Sequence, residues 1–466
     1  MIRNVRWGLL LLVAGLLQAG CRWADYDDVI PTSDGGVRPG SGAGRDGGSG
    51  GEEEPDAGSD SVDGLDGGPP SLGWVEGPGA FNEPFDTFDA RRWRLSDGWA
   101  SSEDFNAGWR ADHVRAKGGN LELQLDKTPC PAGCSGRPYA AGEVGSMRFQ
   151  GYGRYEVRMK PARGSGTLTA FSLYTGPAEN TRWDGIDISF VGLNTRRVQT
   201  SYVVNGKGYY GGVDLPFDAA NAFHTYGIEW TREALHWYVD GKRVHSAKDP
   251  LPAIPGRIIM NFWPGIGPAT ESWMGSFSWP GAPMVSSYDN VRYGLAAPKE
   301  MVDEFETLDT WKTSGPGLST ERDPDGHVGN ALVLNYNIAT PGSSVGSSLV
   351  RTFETPQNWS QGNYLNFWFR GTNSGDLFRL ELWDNGDSAD SAERFEYGFK
   401  DDDNRWKWMN VPMSAFTRRA ADGQPAGAPN DGLSLSAVRG LSLHTLGNKG
   451  HKIILDELEL EHWPSP

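Results

Sequence analysis

The stretch at residues 183–190 is the part of this sequence whose residue types and spacing point most directly to chemistry. Apolar residues alternate there with small or polar ones, which predicts a strand with two different faces. One face would carry Ile186, Ile188 and Phe190. The other face would carry Gly185, Asp187 and Ser189. A carboxylate in such a place can act as an acid or a base, but the neighbours of Asp187 on its own face have no carboxyl group.

The sequence around this stretch predicts an all-β domain over residues 74–296 that would hold the strand in place. Regular alternation with polar residues, typical of a half-buried strand, occurs at Leu121, Leu123 and Leu125. Asp240-Gly241 lies between two strand-like runs and is a strong signal for a two-residue hairpin turn. Many strands with frequent turns favour a β-sandwich.

A second all-β pattern follows at residues 297–466 and predicts a second β-sandwich domain. Alternation is clear at Leu365, Phe367 and Phe369, and again at Phe378, Leu380 and Leu382. The chain has 466 residues, so two or three domains are expected, each large enough for its own core.

The composition excludes some classes of partner. With 43 Lys and Arg against 60 Asp and Glu, the net charge is −17, and no basic run is present. Such a chain is a poor candidate for nucleic-acid binding. The 19 Trp residues fit either large all-β cores or platforms on which sugar rings stack.

The N-terminus predicts export. Arg3 and Arg6 precede a short apolar run, and residues 1–21 together read as a secretory signal peptide. Small residues directly before Cys21 resemble a bacterial lipobox, so we expect Cys21 to be lipidated, although Gln18 stands where an aliphatic residue is usual. The alternative is ordinary secretion with a free Cys21. Arg22 after the cysteine resembles lipoproteins of the bacterial outer membrane, and we expect membrane contact only through this lipid anchor.

Residues 22–73 predict a disordered linker, because they are rich in Gly, Ser, Asp and Glu and have no aromatic residue between Tyr26 and Trp74. The remaining cysteines, Cys130 and Cys134, would form a small disulfide loop in an exported protein. A metal site at this pair is the weaker interpretation, because no His or Cys cluster accompanies it.

Residues 80–294 resemble the bacterial β-1,3-1,4-glucanases (lichenases) of glycoside hydrolase family 16. The resemblance rests on runs in the same order, among them Gly151-Tyr152-Gly153-Arg154-Tyr155-Glu156-Val157, Phe217-Asp218-Ala219-Ala220-Asn221 and Met260-Asn261-Phe262-Trp263-Pro264-Gly265. It implies a concanavalin-like β-jelly-roll sandwich with an open cleft for a glucan chain. It also implies carbohydrate metabolism as the field of activity.

The same resemblance assigns the opening stretch to the catalytic strand of the family, whose signature is Glu-Ile-Asp-Ile-Glu. The first Glu is the nucleophile and the last is the general acid/base, as a retaining mechanism requires. Here the signature reads Gly185-Ile186-Asp187-Ile188-Ser189. Both catalytic positions have therefore lost their carboxyl groups, and only the supporting Asp187 remains.

The resemblance further implies substrate-binding roles for a framework of mostly aromatic residues: Trp99, Glu143, Trp183, Asn261, Trp263 and Trp273. Polar groups of the family's cleft have been replaced, with Gly145 for an Arg, Ser101 for an Asn, and Ser201 and Val203 for an Asn and a Tyr. This pattern favours binding over cleavage. Glu143 is the best candidate for any residual chemistry.

The family often holds a structural Ca²⁺, and Asp289 matches its carboxylate ligand, with Pro84 and Gly119 near the matching carbonyl positions. No other cofactor is expected. The C-terminal domain resembles, less specifically, jelly-roll carbohydrate-binding modules of family 11, through features such as Asp303-Glu304-Phe305-Glu306 and Leu455-Asp456-Glu457-Leu458.

Three hypotheses follow from the sequence. The leading one is a surface-anchored protein that recognises a β-glucan-like chain or an exopolysaccharide without hydrolysing it. The second is an O-glycosyl hydrolase or transglycosylase of residual or altered mechanism, acting through Asp187 or Glu143. The third is a structural envelope component without glycan contact.

Overall fold

A computed structural model describes residues 74–129, 134, 136–338, 347–446 and 451–463. The predicted signal peptide, the lipidation site at Cys21, the linker at 22–73 and Cys130 lie outside these residues. Within the described ranges, no helix is long and apolar enough to cross a membrane.

The first domain is built almost entirely from strands. In chain order its elements are β1 (Phe81–Glu83), β2 (Trp93–Leu95), β3 (Ala107–Trp109), β4 (Val114–Lys117), β5 (Asn120–Asp126), β6 (Tyr139–Ala141), β7 (Glu143–Ser146), β8 (Gly153–Lys160), β9 (Thr167–Thr175), β10 (Asp184–Val191), β11 (Arg197–Val204), β12 (Lys207–Tyr209), β13 (Gly212–Asp214), β14 (His224–Trp230), β15 (Leu235–Val239), β16 (Lys242–Ala247), β17 (Arg257–Pro264), the helix α1 (Pro268–Met274) and β18 (Met284–Leu295).

These strands form two sheets packed face to face, as the sequence predicted. The outer sheet has the order β16-β15-β14-β8-β18-β5-β6-β3, with β1 on β18 and β4 on β5. The other sheet, called the cleft sheet below, has the order β12-β11-β10-β9-β17-β7-β2, with β13 on β11. The strand with the unusual face, β10, lies in the middle of the cleft sheet between β9 and β11.

Local sequence patterns explain these elements. β5 buries Leu121, Leu123 and Leu125 and leaves the residues between them half-buried. β15 and β16 form the hairpin expected at Asp240-Gly241, where both residues have positive φ, 47° and 77°. A turn with two positive φ angles matches the twist of paired strands, and it is the reason for glycine at position 241.

The second domain is also a β-sandwich. Its elements are β19 (Lys299–Asp303), β20 (Trp311–Ser314), β21 (Leu318–Asp323), β22 (Ala331–Tyr336), β23 (Ser348–Gln357), β24 (Tyr364–Arg370), β25 (Leu377–Asp384), β26 (Glu393–Lys400), β27 (Trp406–Pro412), β28 (Thr417–Arg418), β29 (Val438–Thr445) and β30 (His451–Glu461). One sheet, called the junction sheet, has the order β21-β22-β30-β24-β27 with β19 on β30. The distal sheet has the order β20-β23-β29-β25-β26-β28.

The two domains are in direct contact through the outer face of the junction sheet. A small apolar cluster joins Phe149 of the first domain to Trp368, Trp406 and Ile454 of the second. His327 lies within this cluster, with its ring centroid 4.0 Å from that of Phe149 and 3.8 Å from that of Trp368. The junction sheet is therefore covered by the first domain.

Polar groups add to the domain junction. The guanidinium of Arg232 donates to Asn410 at 2.6 Å and pairs with Glu461. It also lies over the rings of Tyr152 and Tyr364. A charge that is partly buried, paired and placed on aromatic faces favours one relative arrangement of the two domains.

Candidate functional site

Strand β10 has the two faces that its sequence predicts. Ile186, Ile188 and Phe190 are at most 1% exposed and pack in the core between the two sheets. Burying side chains of this size contributes about 1.5–3 kcal/mol each. A register slip of one residue would put Asp187 into that core. Because these apolar side chains occupy the core, the opposite face of β10 points toward the cleft.

The cleft face of β10 lies at the centre of a shallow depression. The depression is lined by Leu168, Ala170, Ser172, Asp187, Ser189, Gln199, Ser201, Asn261, Trp263 and Trp273. Only about 20 Å³ of it is recessed enough to count as a cavity, so the depression is shallow and open to solvent. Asp187 is the single carboxylate among these lining residues of the described structure.

Asp187 is buried and weakly compensated. It is 7% exposed, and burial raises its pKa to about 6, although a hydrogen bond from Ser172 acts in the opposite direction. Ser172 lies directly opposite Asp187 on β9. The charge of Asp187 also contributes to a raised pKa of Tyr210, after burial of that phenol. Asp187 therefore holds a proton more readily than an exposed aspartate does.

Ser189 and Gly185 supply no acidic group beside Asp187. The Ser189 hydroxyl donates to Gln199 Oε1 at 3.4 Å. Gly185 sits in an ordinary extended strand, so its backbone conformation does not require glycine. A Cβ atom built there would lie 3.3 Å from the Leu173 carbonyl oxygen and 3.7 Å from Trp183 Nε1. A Cβ atom would therefore fit after its neighbours shift by a few tenths of an ångström.

Two positions from the resemblance lie beside these residues in β11. Ser201 is directly opposite Asp187, and Val203 is directly opposite Gly185. Facing residues of an antiparallel pair point to the same side of the sheet. The replaced Asn and Tyr positions thus border the same face that has lost its two glutamates.

Glu143 lies three strand steps from β10, on β7. It pairs with Asn261 in register, Asn261 pairs with Ala170, and Ala170 pairs with Ser189. Three steps of about 4.8 Å between strands put the Cα atoms of Glu143 and Ser189 roughly 14 Å apart. Glycosidases hold their two carboxyl groups about 5–9.5 Å apart, so Glu143 would have to extend its side chain along the cleft floor toward β10. Its carboxylate is instead held by Ser96 and Asn261.

The surroundings of Glu143 are those of a buried structural acid. It accepts hydrogen bonds from Ser96 Oγ at 2.7 Å and from Asn261 Nδ2 at 3.1 Å. Burial raises its pKa, and these two hydrogen bonds act in the opposite direction. The structure thus brings together two predicted site residues, and the hydrogen bond from Asn261 to Glu143 fixes the orientation of the Asn261 side chain.

Asp184, the other carboxylate of β10, is also structural. Its oxygens accept from the backbone amides of Asn205 and Ala253, both at 2.8 Å, and of Ile254 at 3.2 Å. As expected from alternation, it lies on the opposite side of the strand from Gly185. It anchors two loops and does not enter the cleft.

The predicted aromatic residues differ in what they offer to a ligand. Trp183 and Trp273 are half-buried, and Trp273 lines the depression from α1. Trp263 also lines it, but it is only 2% exposed and one ring face stacks on Phe105 at 3.8 Å. Trp99 is 42% exposed and lies outside the set of lining residues. Trp273 is therefore the aromatic residue that both lines the depression and stays partly exposed. Trp183 is also outside the lining set, but its Nε1 lies 3.7 Å from the position of a Cβ atom at Gly185, at one end of the same strand face.

Ser172 and Gln199 are site residues that the sequence analysis missed. Each faces a residue of β10 across a strand pair, Ser172 opposite Asp187 and Gln199 opposite Ser189. The alternation within β9 and β11 was the available signal. It needed the register between strands, which alternation alone does not supply.

The predicted calcium ligand Asp289 is engaged in an ion pair in this structure. The carboxylate of Asp289 pairs with the guanidinium of Arg158, which already supplies a positive charge. Among the described residues, no group of three or more His, Cys, Asp or Glu side chains is arranged to hold a metal ion. Calcium binding stays a prediction. Cys134 is disulfide-bonded, but its expected partner Cys130 lies outside the described residues.

The outer face of the distal sheet is a second polar surface. Trp383 lies there under the guanidinium of Arg394, 3.9 Å from its ring, and donates to Glu381 at 3.1 Å. Burial alone would raise the pKa of Glu381, but His444 and Arg419 outweigh it and lower the pKa to about 2. The face thus combines an aromatic ring with fixed charges.

Comparison with known proteins defines the class of both domains. Residues 101–281 match the family model of glycosyl hydrolases family 16, and residues 294–462 match the carbohydrate binding domain (family 11). A β-glucanase of Bacillus amyloliquefaciens is 42% identical over 217 residues, which cover 46% of this chain and 87% of the relative. A β-glucanase of Acetivibrio thermocellus is 38% identical over 251 residues, covering 53% of this chain and 73% of the relative.

The chain belongs to glycosyl hydrolase family 16 and carries a carbohydrate-binding domain of family 11 behind its glucanase-like domain. Among solved structures, the β-glucanase of Bacillus licheniformis is 39% identical, with coverage of 47% of this chain and 99% of that one and a TM-score of 0.44.

Proposed function

We propose that this chain is a polysaccharide-binding protein on a glucanase scaffold, and that it does not hydrolyse the chain it binds. Its two domains belong to families named for glycoside hydrolysis and for carbohydrate binding. The relatives are named β-glucanases, which makes a β-glucan the first ligand to test. A bacterial exopolysaccharide is the second.

The observation that carries the proposal is the isolation of Asp187. Glycoside hydrolysis by this family requires two carboxyl groups in one cleft. Among the described residues that line the depression, Asp187 has no second carboxylate beside it. The Cα atom of Glu143 lies roughly 14 Å from that of Ser189 by strand spacing, and the Glu143 carboxylate is engaged by Ser96 and Asn261. One carboxylate cannot serve as nucleophile and as acid in the same step.

Binding needs only what the cleft retains. Trp183 and Trp273 present partly exposed rings, on which the apolar faces of sugars can pack. Ser172, Ser189 and Gln199 add hydroxyl and amide groups along the floor of the depression. A cleft of this kind would hold a sugar chain by stacking and hydrogen bonds without attacking it.

The carbohydrate-binding domain would contact a glycan through its distal sheet. The outer face of its junction sheet is closed, because Trp368 and Trp406 pack against the first domain. The outer face of the distal sheet carries Trp383 with Arg379 and Glu381 on the same strand. Trp383 is only 9% exposed and lies under the guanidinium of Arg394, so a sugar could stack on its ring only after Arg394 moves aside. A second contact on the same glycan would raise the overall affinity through effective concentration.

A second candidate function, hydrolysis or transglycosylation by an altered mechanism, is favoured by one observation. The pKa of Asp187 is raised to about 6, a value suited to a general acid near neutral pH. This candidate predicts slow release of reducing ends that disappears in Asp187→Ala.

Surface anchoring is part of the proposal and rests on the sequence around Cys21. Lipidation there would attach the chain to the bacterial outer membrane, with residues 22–73 as a spacer. Labelling cells with a palmitate analogue tests it. We expect label in the wild-type chain and none in Cys21→Ser, and equal release of both proteins into the medium would contradict it.

Binding is tested by electrophoresis in gels that contain mixed-linkage β-glucan, laminarin or the producer's own exopolysaccharide. We expect at least one polysaccharide to retard the wild-type protein and Trp183→Ala to lose most of that retardation. Trp74→Ala is the matched control, because Trp74 is also half-buried but packs on Arg154 and Arg292 of the outer sheet. Equal mobility of all three proteins in every gel would refute glycan binding in the cleft.

A further inference from the structure

The loop that leads into β10 connects the cleft to the second domain. It runs over residues 176–183, between β9 and β10, and ends at Trp183. Trp183 places its Nε1 within 3.7 Å of the position that a Cβ atom of Gly185 would occupy. The shape of this loop therefore sets where one of the main cleft aromatics lies.

The first domain holds one side of this loop. Glu179 pairs with Arg94 at 2.5 Å and with Arg257 at 3.2 Å. The Thr181 hydroxyl lies 2.6 Å from that of Thr175 in a fully buried contact. Between these anchors, Asn180 adopts a left-handed conformation with φ of 54°, so the turn has a specific shape that neighbouring contacts must maintain.

The second domain holds the other side. The Trp406 amide donates to the Asn180 carbonyl oxygen at 2.8 Å, and Trp406 forms an isolated parallel bridge with Thr181. One residue further, Arg182 Nε donates to Asp403 Oδ2 at 3.4 Å. Three consecutive residues directly before Trp183 therefore have contacts in the second domain.

The contacting groups of the second domain are themselves fixed. Asp403 is 7% exposed and accepts from the backbone amide of Arg405 at 3.0 Å and from its guanidinium at 2.8 Å. Trp406 is 4% exposed and packs in the cluster with Trp368 and Ile454. A buried, multiply bonded partner can hold the loop, whereas a mobile one could not.

We propose that Asp403 and Trp406 are positioning residues for Trp183, so that the carbohydrate-binding domain shapes the cleft of the neighbouring domain. This inference rests on the proposed function only where glycan affinity is concerned, since the position of Trp183 can be measured without any ligand. It gives the second domain a role within the first domain's binding site, in addition to any glycan contact of its own.

The first test uses the full-length protein without ligand. The indole N–H signal of Trp183 is identified in a ¹⁵N-tryptophan-labelled sample by its loss in Trp183→Phe. We expect Asp403→Ala to shift or broaden this signal while the signals of other tryptophans outside the junction stay in place. Asp431→Ala is the matched control, because the exposed Asp431 side chain bonds to Asn385, next to β25 of the distal sheet, and not to the loop. An unchanged Trp183 signal in Asp403→Ala would overturn the proposal.

The second test is a double-mutant cycle on glycan affinity. Arg182→Ala and Asp403→Ala should each weaken binding roughly two- to fivefold, the range that a partly exposed ion pair supports, and the double variant should be no weaker than either single one. Asp431→Ala should combine additively with Arg182→Ala. Additive losses for Asp403 and Arg182 would mean that they act separately. If Trp183→Ala and all other variants bind like wild type, the proposed function fails while the indole test still decides the positioning role.

Discussion

Asp187→Asn should stabilise the protein at neutral pH, because the wild-type carboxylate is ionised there at a cost. Folding raises the pKa of Asp187 from 3.8 to about 6, and burial is the main cause. The native state therefore binds this proton more tightly than the unfolded state does. The resulting stability is fully present below pH 3.8 and is lost as the pH rises through 6.

The size of the effect follows from the same shift. About two pKa units correspond to about 3 kcal/mol at pH 7 and above. In a domain of this size that energy corresponds to roughly 6–12 °C in the midpoint of unfolding. Asparagine has nearly the shape of the protonated acid and carries no charge, so Asp187→Asn should recover most of this energy at pH 7 and little of it at pH 4.

Calorimetric scans at pH 4, 5, 6, 7 and 8 measure the difference between variant and wild type. Asp214→Asn is the control, because the Asp214 side chain is 79% exposed and its ion pair with Arg197 lies at the solvent-exposed surface. Its difference from wild type should stay small and nearly independent of pH. If Asp187→Asn melts at or below the wild-type temperature at pH 8, burial of the ionised Asp187 carboxylate does not destabilise the protein, and the explanation is refuted.

Three further predictions concern the cleft and the domain junction. Gly185→Glu combined with Ser189→Glu should fold, because a Cβ atom at position 185 needs only a small shift of its neighbours. The double variant should release reducing ends slowly from β-glucan, and release by either single variant would contradict the need for two carboxylates. Arg232→Ala removes the cation that pairs with Glu461 at the junction and should lower the free energy of unfolding by about 3 kcal/mol. We expect separate calorimetric transitions of the two domains, whereas one unchanged transition would count against a fixed junction. Burial holds the pKa of His327 well below its usual value, and both ring nitrogens lack a hydrogen-bond partner among the described residues. The unfolded chain therefore binds a proton at His327 more readily than the folded one, so stability is retained above pH 6.5 and lost as the pH falls below 6.5. His327→Phe should make the junction less sensitive to acid, and an identical pH profile of unfolding in variant and wild type would be the contrary result.

The two faces of β10 could be predicted from the sequence because strand alternation is a local property with a period of two residues. Alternation also predicted β5 and β24, and the Asp-Gly pair predicted the hairpin at Asp240-Gly241. These elements depend on neighbouring residues only, so no knowledge of distant parts of the chain was needed.

Contacts between distant segments could not be predicted in the same way. The stacking of Trp263 on Phe105 removes one face of an expected platform, and nothing near either residue in the sequence indicates it. The covering of Trp368 and Trp406 by the first domain is also a tertiary contact. Alternation shows that a side chain faces outward from a sheet, but it does not show what lies against that face.

The most direct test of the central claim is one incubation of the wild-type protein with the polysaccharide that retards it in a gel. Reducing ends and chain length of the polysaccharide are measured over a day, with a family 16 β-glucanase as the positive control. The isolation of Asp187 on its strand predicts retained polysaccharide of unchanged length and no new reducing ends. Steady release of shorter chains that stops in Asp187→Ala would contradict the claim that this cleft binds without cleaving.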